Sequence, residues 1–219
     1  MLKDVFVPIH PDGYKFIGIF AAITLVLWFI AQPLGFLGLI LTVWCVYFFR
    51  NPNRVTPQDK NFVISAADGK VVHIDEVSLP KELQLEDRPY RRISVFLNVF
   101  DVHVNKMPLS GIIQKMNYIK GKFINASLDK ASEDNERLAI ALKTDIGAMI
   151  GVVQIAGLVA RRICWDVEEG DRAEVGKNYG LIRFGSRVDI YIPAEWPVKV
   201  ILGQTMIAGE TVLAIAETN

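Results

Sequence analysis

The sequence has few residues suited to acid–base or metal chemistry, and it carries no net charge. Its 219 residues include three histidines and two cysteines, and 24 basic side chains balance 24 acidic ones. Balanced charge gives no reason to expect a nucleic-acid partner, because such partners attract clustered positive charge. The cysteines lack metal-ligand spacing, and a glycine-rich nucleotide fingerprint is missing. We therefore expect neither a metal nor a nucleic-acid partner.

What the sequence does have is a long apolar run near its N-terminus. Residues 16–49 contain no charged side chain, whereas about 20 helical residues are enough to cross a bilayer. Gln32, Pro33 and Gly35 interrupt the run, because proline bends the chain and removes a donor, and the glycine is expected to ease the reversal. Basic residues lie on both sides of the run: Lys3, Lys15, Arg50, Arg54 and Lys60.

These features predict a helical hairpin that dips into or barely crosses the cell membrane. Basic flanks on both sides are typical of a hairpin whose two ends are cytoplasmic. We therefore predict a membrane-associating unit at residues 1–54, attached at the cytoplasmic face. Two alternatives are a signal peptide, for which the run starts late and is too long, and a wholly buried core hairpin.

Residues 55–219 read as a domain of short strands separated by glycine, proline and charge. The β-branched runs are 71–74, 93–99, 112–113, 152–155 and 187–192. One segment, 125–142, reads instead as helix or ordered loop. Residues 199–214 have the glycine rhythm of turns in biotinyl and lipoyl carrier domains, without the modifiable lysine. We predict an α+β fold with a predominantly antiparallel β sandwich or barrel-like domain.

The dipeptide Gly185-Ser186 opens one of these runs and offers unusual chemistry. If the fold strains this peptide, the serine hydroxyl can attack the glycine carbonyl in place of water. The amide would become an ester, and β-elimination followed by hydrolysis would leave an N-terminal pyruvoyl group, which is an electrophilic cofactor. Most Gly-Ser pairs lie in plain turns, so this hypothesis depends on the rest of the chain.

Two further residues are candidates for proton transfer. His103 follows an apolar strand, and strand alternation places it on one face with Asp101 and Asn105. A histidine in such company can exchange a proton near neutral pH, although a structural histidine capping a turn fits the segment equally well. Asp68 precedes Gly69, and Asp-Gly is more often a turn signal than a catalytic one.

Taken together, these segments resemble the phosphatidylserine decarboxylase family in its short prokaryotic form. The resemblance rests on short blocks that follow one order along nearly the whole chain. The blocks are residues 9–13, 48–52, 66–71, 100–105, 121–130, 135–137, 154–157, 161–163 and 184–186.

The resemblance implies a pyruvoyl-dependent carboxy-lyase that converts phosphatidylserine to phosphatidylethanolamine and CO2 through a Schiff base. Family members cut themselves at the Gly-Ser bond, here between Gly185 and Ser186. The products would be a large chain, 1–185, and a small chain, 186–219, that begins with the pyruvoyl group. By resemblance, residues 55–219 form the catalytic domain, and Ser186, His103 and Asp68 are catalytic. The implied partners are phosphatidylserine in the membrane and the two chains for each other, and a homodimer is a further candidate.

The resemblance leaves the base for self-cleavage open. Longer family members carry two histidines three residues apart, and these align with His103 and Lys106. The base is therefore His103, Lys106 or a water, and we favour His103 for both self-cleavage and decarboxylation. Arg187, Lys106, Ser127 and backbone amides are all candidates for holding the headgroup phosphate. Two other functions stay open: a membrane-anchored carrier or binding module, and a pyruvoyl decarboxylase of a soluble amino acid.

Overall fold

The chain forms two compact units, Met1–Asn53 and Arg54–Asn219. The structure, a computed structural model, describes residues 7–86, 88–121, 126, 134–157, 162–183 and 185–217. The division between the units falls at the polar residues that follow the apolar run, where the composition changes from continuous apolar sequence to short alternating segments.

The first unit is a helical hairpin. Helix α1 spans Pro11–Ile30 and helix α2 spans Gln32–Phe48. The hairpin closes at its base, where Ile9 and Arg50 form an antiparallel bridge. Helix α1 is long and apolar enough to cross a membrane, and only 11% of its most apolar window is buried. It can therefore cross a membrane or anchor the chain to one, whereas α2 is shorter.

Small residues set the packing of the two helices. Pro33 lies in the first turn of α2, where its missing N–H removes no helical hydrogen bond. Gly35 differs from the expectation: it lies inside α2 rather than in the reversal, and a Cβ there would overlap the Trp28 ring. Thr24 and Thr42 join the helices through their Oγ1 atoms at 2.9 Å. Close helix approach, rather than a glycine turn, explains Gly35.

In the residues that the structure describes, the second unit consists mainly of β-strands, with a short 3-10 helix at Lys81–Leu83. The strands are β1 Phe62–Ile64, β2 Gly69–Val77, β3 Tyr90–Leu97, β4 Val104–Lys106, β5 Gly111–Ile119, β6 Arg137–Thr144, β7 Met149–Ala156, β8 Ile163–Trp165, β9 Arg172–Ala173, β10 Asn178–Ile182, β11 Ser186–Pro193, β12 Thr205–Met206 and β13 Val212–Ile215.

The strands form one large sheet and two small ones. The large sheet is curled and has the strand order β12-β2-β3-β11-β7-β6-β5-β9, with antiparallel neighbours throughout. A small sheet has the order β4-β10-β8, and β1 pairs with β13. This architecture confirms the predicted α+β fold with a mostly antiparallel, barrel-like β domain.

The strand predictions are confirmed more fully than the helix prediction. The five β-branched runs lie in β2, β3, β5, β7 and β11. Residues 137–142 lie in β6, so the helical interpretation of 125–142 is wrong there, and most of the preceding part lies outside the described residues. Leu138, Ile140 and Leu142 face the main core while Ala139 faces a smaller cluster. This period of two suits a strand buried on both faces, and it outweighs the helix propensity of leucine and alanine.

Strand β11 lies in the middle of the large sheet and is buried along its whole length. Alternate side chains point to opposite faces. The core face carries Ser186, Val188, Ile190 and Ile192, of which the three apolar residues belong to the main hydrophobic core. The reverse face carries Arg187, Asp189 and Tyr191, of which Tyr191 belongs to the smaller cluster.

Candidate active site

Ser186 is the first residue of β11 and lies between two neighbouring strands. It pairs with Leu97 of β3 on one side and with Ala156 of β7 on the other. Its side chain is fully buried, and its Oγ has no hydrogen-bond partner among the described residues. Leaving a buried polar group unsatisfied costs about 1–3 kcal/mol. A hydroxyl of this kind in a central strand is therefore a candidate reactive group.

Gly185 presents the peptide bond that precedes this serine. Its backbone φ is +60°, in the left-handed region that glycine adopts at no steric cost. Its amide N–H donates to His103 Nε2 at 3.1 Å. Its carbonyl oxygen lies against Gly157, where a Cβ atom would overlap it. The glycine at 157 therefore makes room for the carbonyl that Ser186 would attack.

His103 is fully buried beside Gly185. Its Nδ1 lies 3.0 Å from the carbonyl oxygen of Asp101. Because that oxygen can only accept, Nδ1 carries the ring proton, and Nε2 is the acceptor for the Gly185 N–H. These two bonds describe a neutral imidazole whose basic nitrogen faces the candidate cleavage site. The structure thus brings together His103 and Gly185, which lie 82 residues apart in sequence.

Asp68 lies at the same end of the large sheet as Ser186. It directly precedes β2, and Lys70 of β2 pairs with Phe96 of β3. Phe96 pairs on its other side with Arg187 of β11. Strand β3 therefore separates the Asp68 and Ser186 strands, whose backbones lie two strand spacings apart, about 10 Å.

The Asp68 carboxylate is held by two strong contacts. Its Oδ2 accepts from Arg54 Nη2 at 2.7 Å, and its Oδ1 accepts from the backbone N–H of Ala208 at 2.7 Å. The side chains of Asp68 and Arg54 are each 15% exposed, so this ion pair is largely shielded from water. A fixed negative charge therefore lies at the end of the sheet where Ser186 begins β11.

Lys106, the alternative base, lies in β4 and is buried. Its Nζ donates to the carbonyl oxygen of Gly176 at 3.2 Å and to Asn178 Oδ1 at 2.9 Å. Burial lowers the pKa of Lys106, and the nearby Arg54 charge lowers it further, while Asp68 opposes the shift. The lowered pKa favours a basic role, but Nζ is already engaged by two acceptors.

A buried amide pair joins the small sheet to the large one. Gln154 Nε2 of β7 donates to Asn105 Oδ1 of β4 at 2.7 Å, and both side chains are fully buried. Asn105 Nδ2 and Gln154 Oε1 have no hydrogen-bond partner in the part of the chain that the structure describes. Gln154 pairs with Val188, so its side chain shares the core face with Ser186. Gly180 packs over the pair, because a Cβ there would lie 3.2 Å from Gln154 Nε2.

No sequence pattern by itself assigns a role to Gln154 or Gly157, although both lie in the block 154–157. A glutamine inside an otherwise apolar strand is the signal that could have identified the first, because buried polar side chains are uncommon and informative. The predicted face shared by His103 and Asn105 corresponds to two buried side chains. Asp101 instead accepts from the backbone N–H of Asn98 at 2.8 Å.

Arg187, a candidate for the headgroup phosphate, lies on the reverse face and is fully buried. Its Nη2 donates to Asp189 Oδ2 at 3.0 Å, and its Nη1 donates to the carbonyl oxygen of Ala126 at 3.2 Å. This arrangement favours a structural role over phosphate binding. Ser127, the other side-chain candidate, lies outside the described residues. Within the described ranges, no cluster of histidine, cysteine and acidic side chains could hold a metal ion.

A comparison with known families adds to this geometry. Residues 41–214 match the model of the phosphatidylserine decarboxylase family. The chain belongs to the phosphatidylserine decarboxylase family. The matched range contains Asp68, His103, Gly185 and Ser186, and it covers most of the β domain. The resemblance drawn from the sequence blocks is thereby confirmed, and the protein is a decarboxylase of this family. Membership in the phosphatidylserine decarboxylases also favours an enzyme over a carrier or binding module.

Proposed function

We propose that this chain converts phosphatidylserine to phosphatidylethanolamine and CO2 with a pyruvoyl group that it makes from Ser186. One observation carries the proposal: a buried serine hydroxyl, without a partner among the described residues, follows a glycine whose amide is held by His103. The glycine carbonyl lies in the space that Gly157 leaves open. Family membership supports the decarboxylase class.

Self-cleavage would proceed between Gly185 and Ser186. Ser186 Oγ attacks the Gly185 carbonyl carbon, and the peptide C–N bond breaks as the ester C–O bond forms. The Ser186 nitrogen takes up a proton and becomes an amino group. β-Elimination removes the Ser186 Cα proton and breaks the Cβ–Oγ bond, which releases Gly185 as a carboxylate. Hydrolysis of the remaining enamine, through its imine form, consumes one water, releases ammonia and leaves the ketone.

His103 is the proposed proton carrier for this step. Its Nε2 accepts from the N–H of Gly185, one residue from Ser186. Exchange of that hydrogen bond for one from the Ser186 hydroxyl would make His103 a general base. Asp68, held by Arg54, would stabilise the imidazolium that forms. Lys106 or a water stays an alternative base.

Decarboxylation uses the same site. The ketone supplies an electron-accepting group to which an amine substrate can be joined covalently. His103 would hold a proton and return it to the carbon that loses CO2, so that one proton replaces the carboxylate. Full burial of His103 supports this role, because a site closed to water strengthens electrostatic contacts and limits side reactions.

The lipid substrate accounts for the hairpin. Each buried methylene of an acyl chain is worth about 0.8 kcal/mol, so phosphatidylserine stays in the bilayer and the enzyme must reach its headgroup there. We propose that the hairpin attaches the protein to the cytoplasmic face of the cell membrane, a role that the apolar α1 supports.

The two chains would stay together after cleavage. The small chain, 186–219, supplies β11, β12 and β13, whose partners β3, β7, β2 and β1 all lie in the large chain, 1–185. The product would therefore be one folded protein with two chains, and the new N-terminus would lie at the start of a central strand.

Intact-mass analysis with a matched pair of serine variants tests the proposal. The wild-type protein should give fragments 1–185 and 186–219, and the small fragment should resist Edman degradation until its ketone is aminated. Ser186→Ala should stay uncut and release no CO2 from carboxyl-labelled phosphatidylserine. Ser94→Ala is the control, because Ser94 Oγ is also buried without a partner among the described residues, and it should cut and decarboxylate normally.

Two results would contradict the proposal. One is an active preparation that contains only the intact chain, and the other is normal activity in Ser186→Ala. Free serine offered in the same assay tests the soluble-substrate alternative, for which it should be decarboxylated as efficiently as the lipid.

A further inference from the structure

Three of the buried polar atoms that lack hydrogen-bond partners among the described residues lie at or near Ser186. They are Ser186 Oγ, Asn105 Nδ2 and Gln154 Oε1. All three side chains are fully buried. The proposed function uses the serine and leaves the two amides unexplained. A buried amide with an open donor or acceptor is destabilising, so its presence calls for a role.

The amide pair lies next to the candidate cleavage site. Gln154 is opposite Val188, so Ser186 is its diagonal neighbour on the same face, at a Cα separation of about 7–8 Å. Asn105 follows His103 by two residues on the adjoining small sheet, and His103 contacts Gly185. Two polar contacts therefore lie close together: His103 with Gly185 at the cleavage site, and Asn105 with Gln154 beside it.

The chemistry of the pair matches an amino acid. The bond between Gln154 and Asn105 uses one NH2 group and one carbonyl oxygen, and it leaves the other NH2 group and the other carbonyl oxygen open, also if both amides are turned together. An α-amino acid offers the complement, because its carboxylate accepts and its amino group donates. A phosphate diester offers acceptors only, so it would satisfy half of the pair.

We propose that Asn105 and Gln154 form the subsite that recognises the serine end of the lipid headgroup. The open amide donor binds a carboxylate oxygen, and the open amide oxygen accepts from the amino nitrogen. This inference rests on the proposed function, since it assumes a serine-bearing substrate at Ser186.

Self-cleavage provides the access. The connection from β10 to β11 links the small sheet to the large one, and the hydrogen bond between Asn105 and Gln154 links the same two layers. Cutting the Gly185–Ser186 bond breaks that connection at Ser186, which shares the core face with Gln154. The headgroup can then enter between the layers, where the amides are held in place.

The decisive variant is Asn105→Leu/Gln154→Met, which nearly preserves shape and removes both amides. Replacing both partners of a buried hydrogen bond by apolar groups is close to neutral for stability. This variant should therefore fold with an unchanged or higher Tm and cut itself normally. Its kcat/KM for phosphatidylserine should fall about 100-fold, because contacts to charged groups are lost.

A second readout does not depend on turnover. O-phosphoserine and phosphoethanolamine can both be trapped on the ketone with cyanoborohydride and detected by the mass of the small chain. Wild-type protein should be half-trapped at a lower concentration of phosphoserine than of phosphoethanolamine. The double variant should lose this preference. Gln154→Glu, which places a negative charge beside the carboxylate, should reverse it and serves as the second variant if the first folds poorly.

The outcomes separate this inference from the proposed function. If wild-type protein does not cut itself, both fail. If it cuts and decarboxylates but the double variant keeps the wild-type kcat/KM and the preference for phosphoserine, the subsite is wrong and the pyruvoyl mechanism stands. A stable double variant that no longer cuts itself would assign the amides to processing and overturn the subsite. Ser94→Ala should leave the trapping preference unchanged.

Discussion

The two faces of β11 differ in whether their buried polar groups have hydrogen-bond partners. On the reverse face, Arg187 and Asp189 are fully buried and hydrogen-bonded to each other, and Arg187 also donates to the carbonyl of Ala126. On the core face, Ser186 Oγ has no partner among the described residues, and two amides nearby each keep one open atom. Opposite charges are therefore paired on the reverse face, whereas donors and acceptors on the core face stay without partners among the described residues.

This difference separates groups that hold the strand from groups to which we assign a role in the proposed reaction. A buried ion pair adds little net stability, but removing one partner leaves an uncompensated charge and is strongly destabilising. Open buried amides and hydroxyls reduce stability and are retained where function needs them. Two residues are exceptions to this contrast, because Ser94, which pairs with Asp189, and Tyr90, which pairs with Pro193, also have hydroxyls without partners among the described residues.

The largest expected effect comes from breaking the ion pair. In the uncut Ser186→Ala background, Arg187→Met should lower the free energy of unfolding by about 3–5 kcal/mol, because Asp189 is left buried without a partner. Urea denaturation measures the loss. Arg187→Met/Asp189→Leu should recover most of it. A loss below about 1 kcal/mol in the single variant would show that the pair does not hold β11.

An intermediate effect is expected at Gly185. Alanine in a left-handed conformation costs about 1–2 kcal/mol, so Gly185→Ala should destabilise the uncut protein by this amount. It should also slow self-cleavage at least tenfold, because a shift in φ moves the amide away from His103. Gly203→Ala is the matched control, since Gly203 has φ +79° and open space around it. It should lose similar stability and cut at the wild-type rate, and equal cutting rates in both variants would count against the role of Gly185.

The smallest effect is expected at Ser94, one of the two exceptions on the reverse face. Ser94→Ala in the Ser186→Ala background should raise the free energy of unfolding by about 1 kcal/mol, because it removes a buried hydroxyl that has no partner among the described residues and that costs stability. Denaturation of the two proteins side by side measures this. A failure of Ser94→Ala to cut itself, in the otherwise wild-type protein, would show that the reverse face takes part in processing.

Much of the architecture could be predicted because it depends on local patterns. An uncharged run of residues 16–49 interrupted by proline predicts a hairpin, and β-branched runs predict β2, β3, β5, β7 and β11. Residues 137–142 could not be assigned this way, since leucine and alanine favour helices and only burial on both faces of a sheet makes them a strand. The role of Gly35 could not be predicted from its neighbours in sequence either, because it depends on close packing against Trp28 of the other helix and not on a turn.

The sequence could predict which residues belong to the candidate site, but not how they contact one another. Gly185, Ser186, His103 and Asp68 stand out as residues that can do chemistry, and their catalytic roles stay predictions. Sequence could not show that His103 contacts the Gly185 amide, or that the Asp68 carboxylate is bonded to Arg54 and Ala208. Each of these contacts depends on how distant strands pair.

By itself, the sequence determined most of the element types, the apolar hairpin and the presence of the Gly-Ser pair, because these follow from properties of neighbouring residues. Only the tertiary structure decided which polar atoms of the site are satisfied and which are open. Gln154 meets Asn105 across 49 residues and His103 meets Gly185 across 82, and such contacts arise from strand register and sheet packing. The open amides beside Ser186 are therefore a property of the fold and not of any one segment.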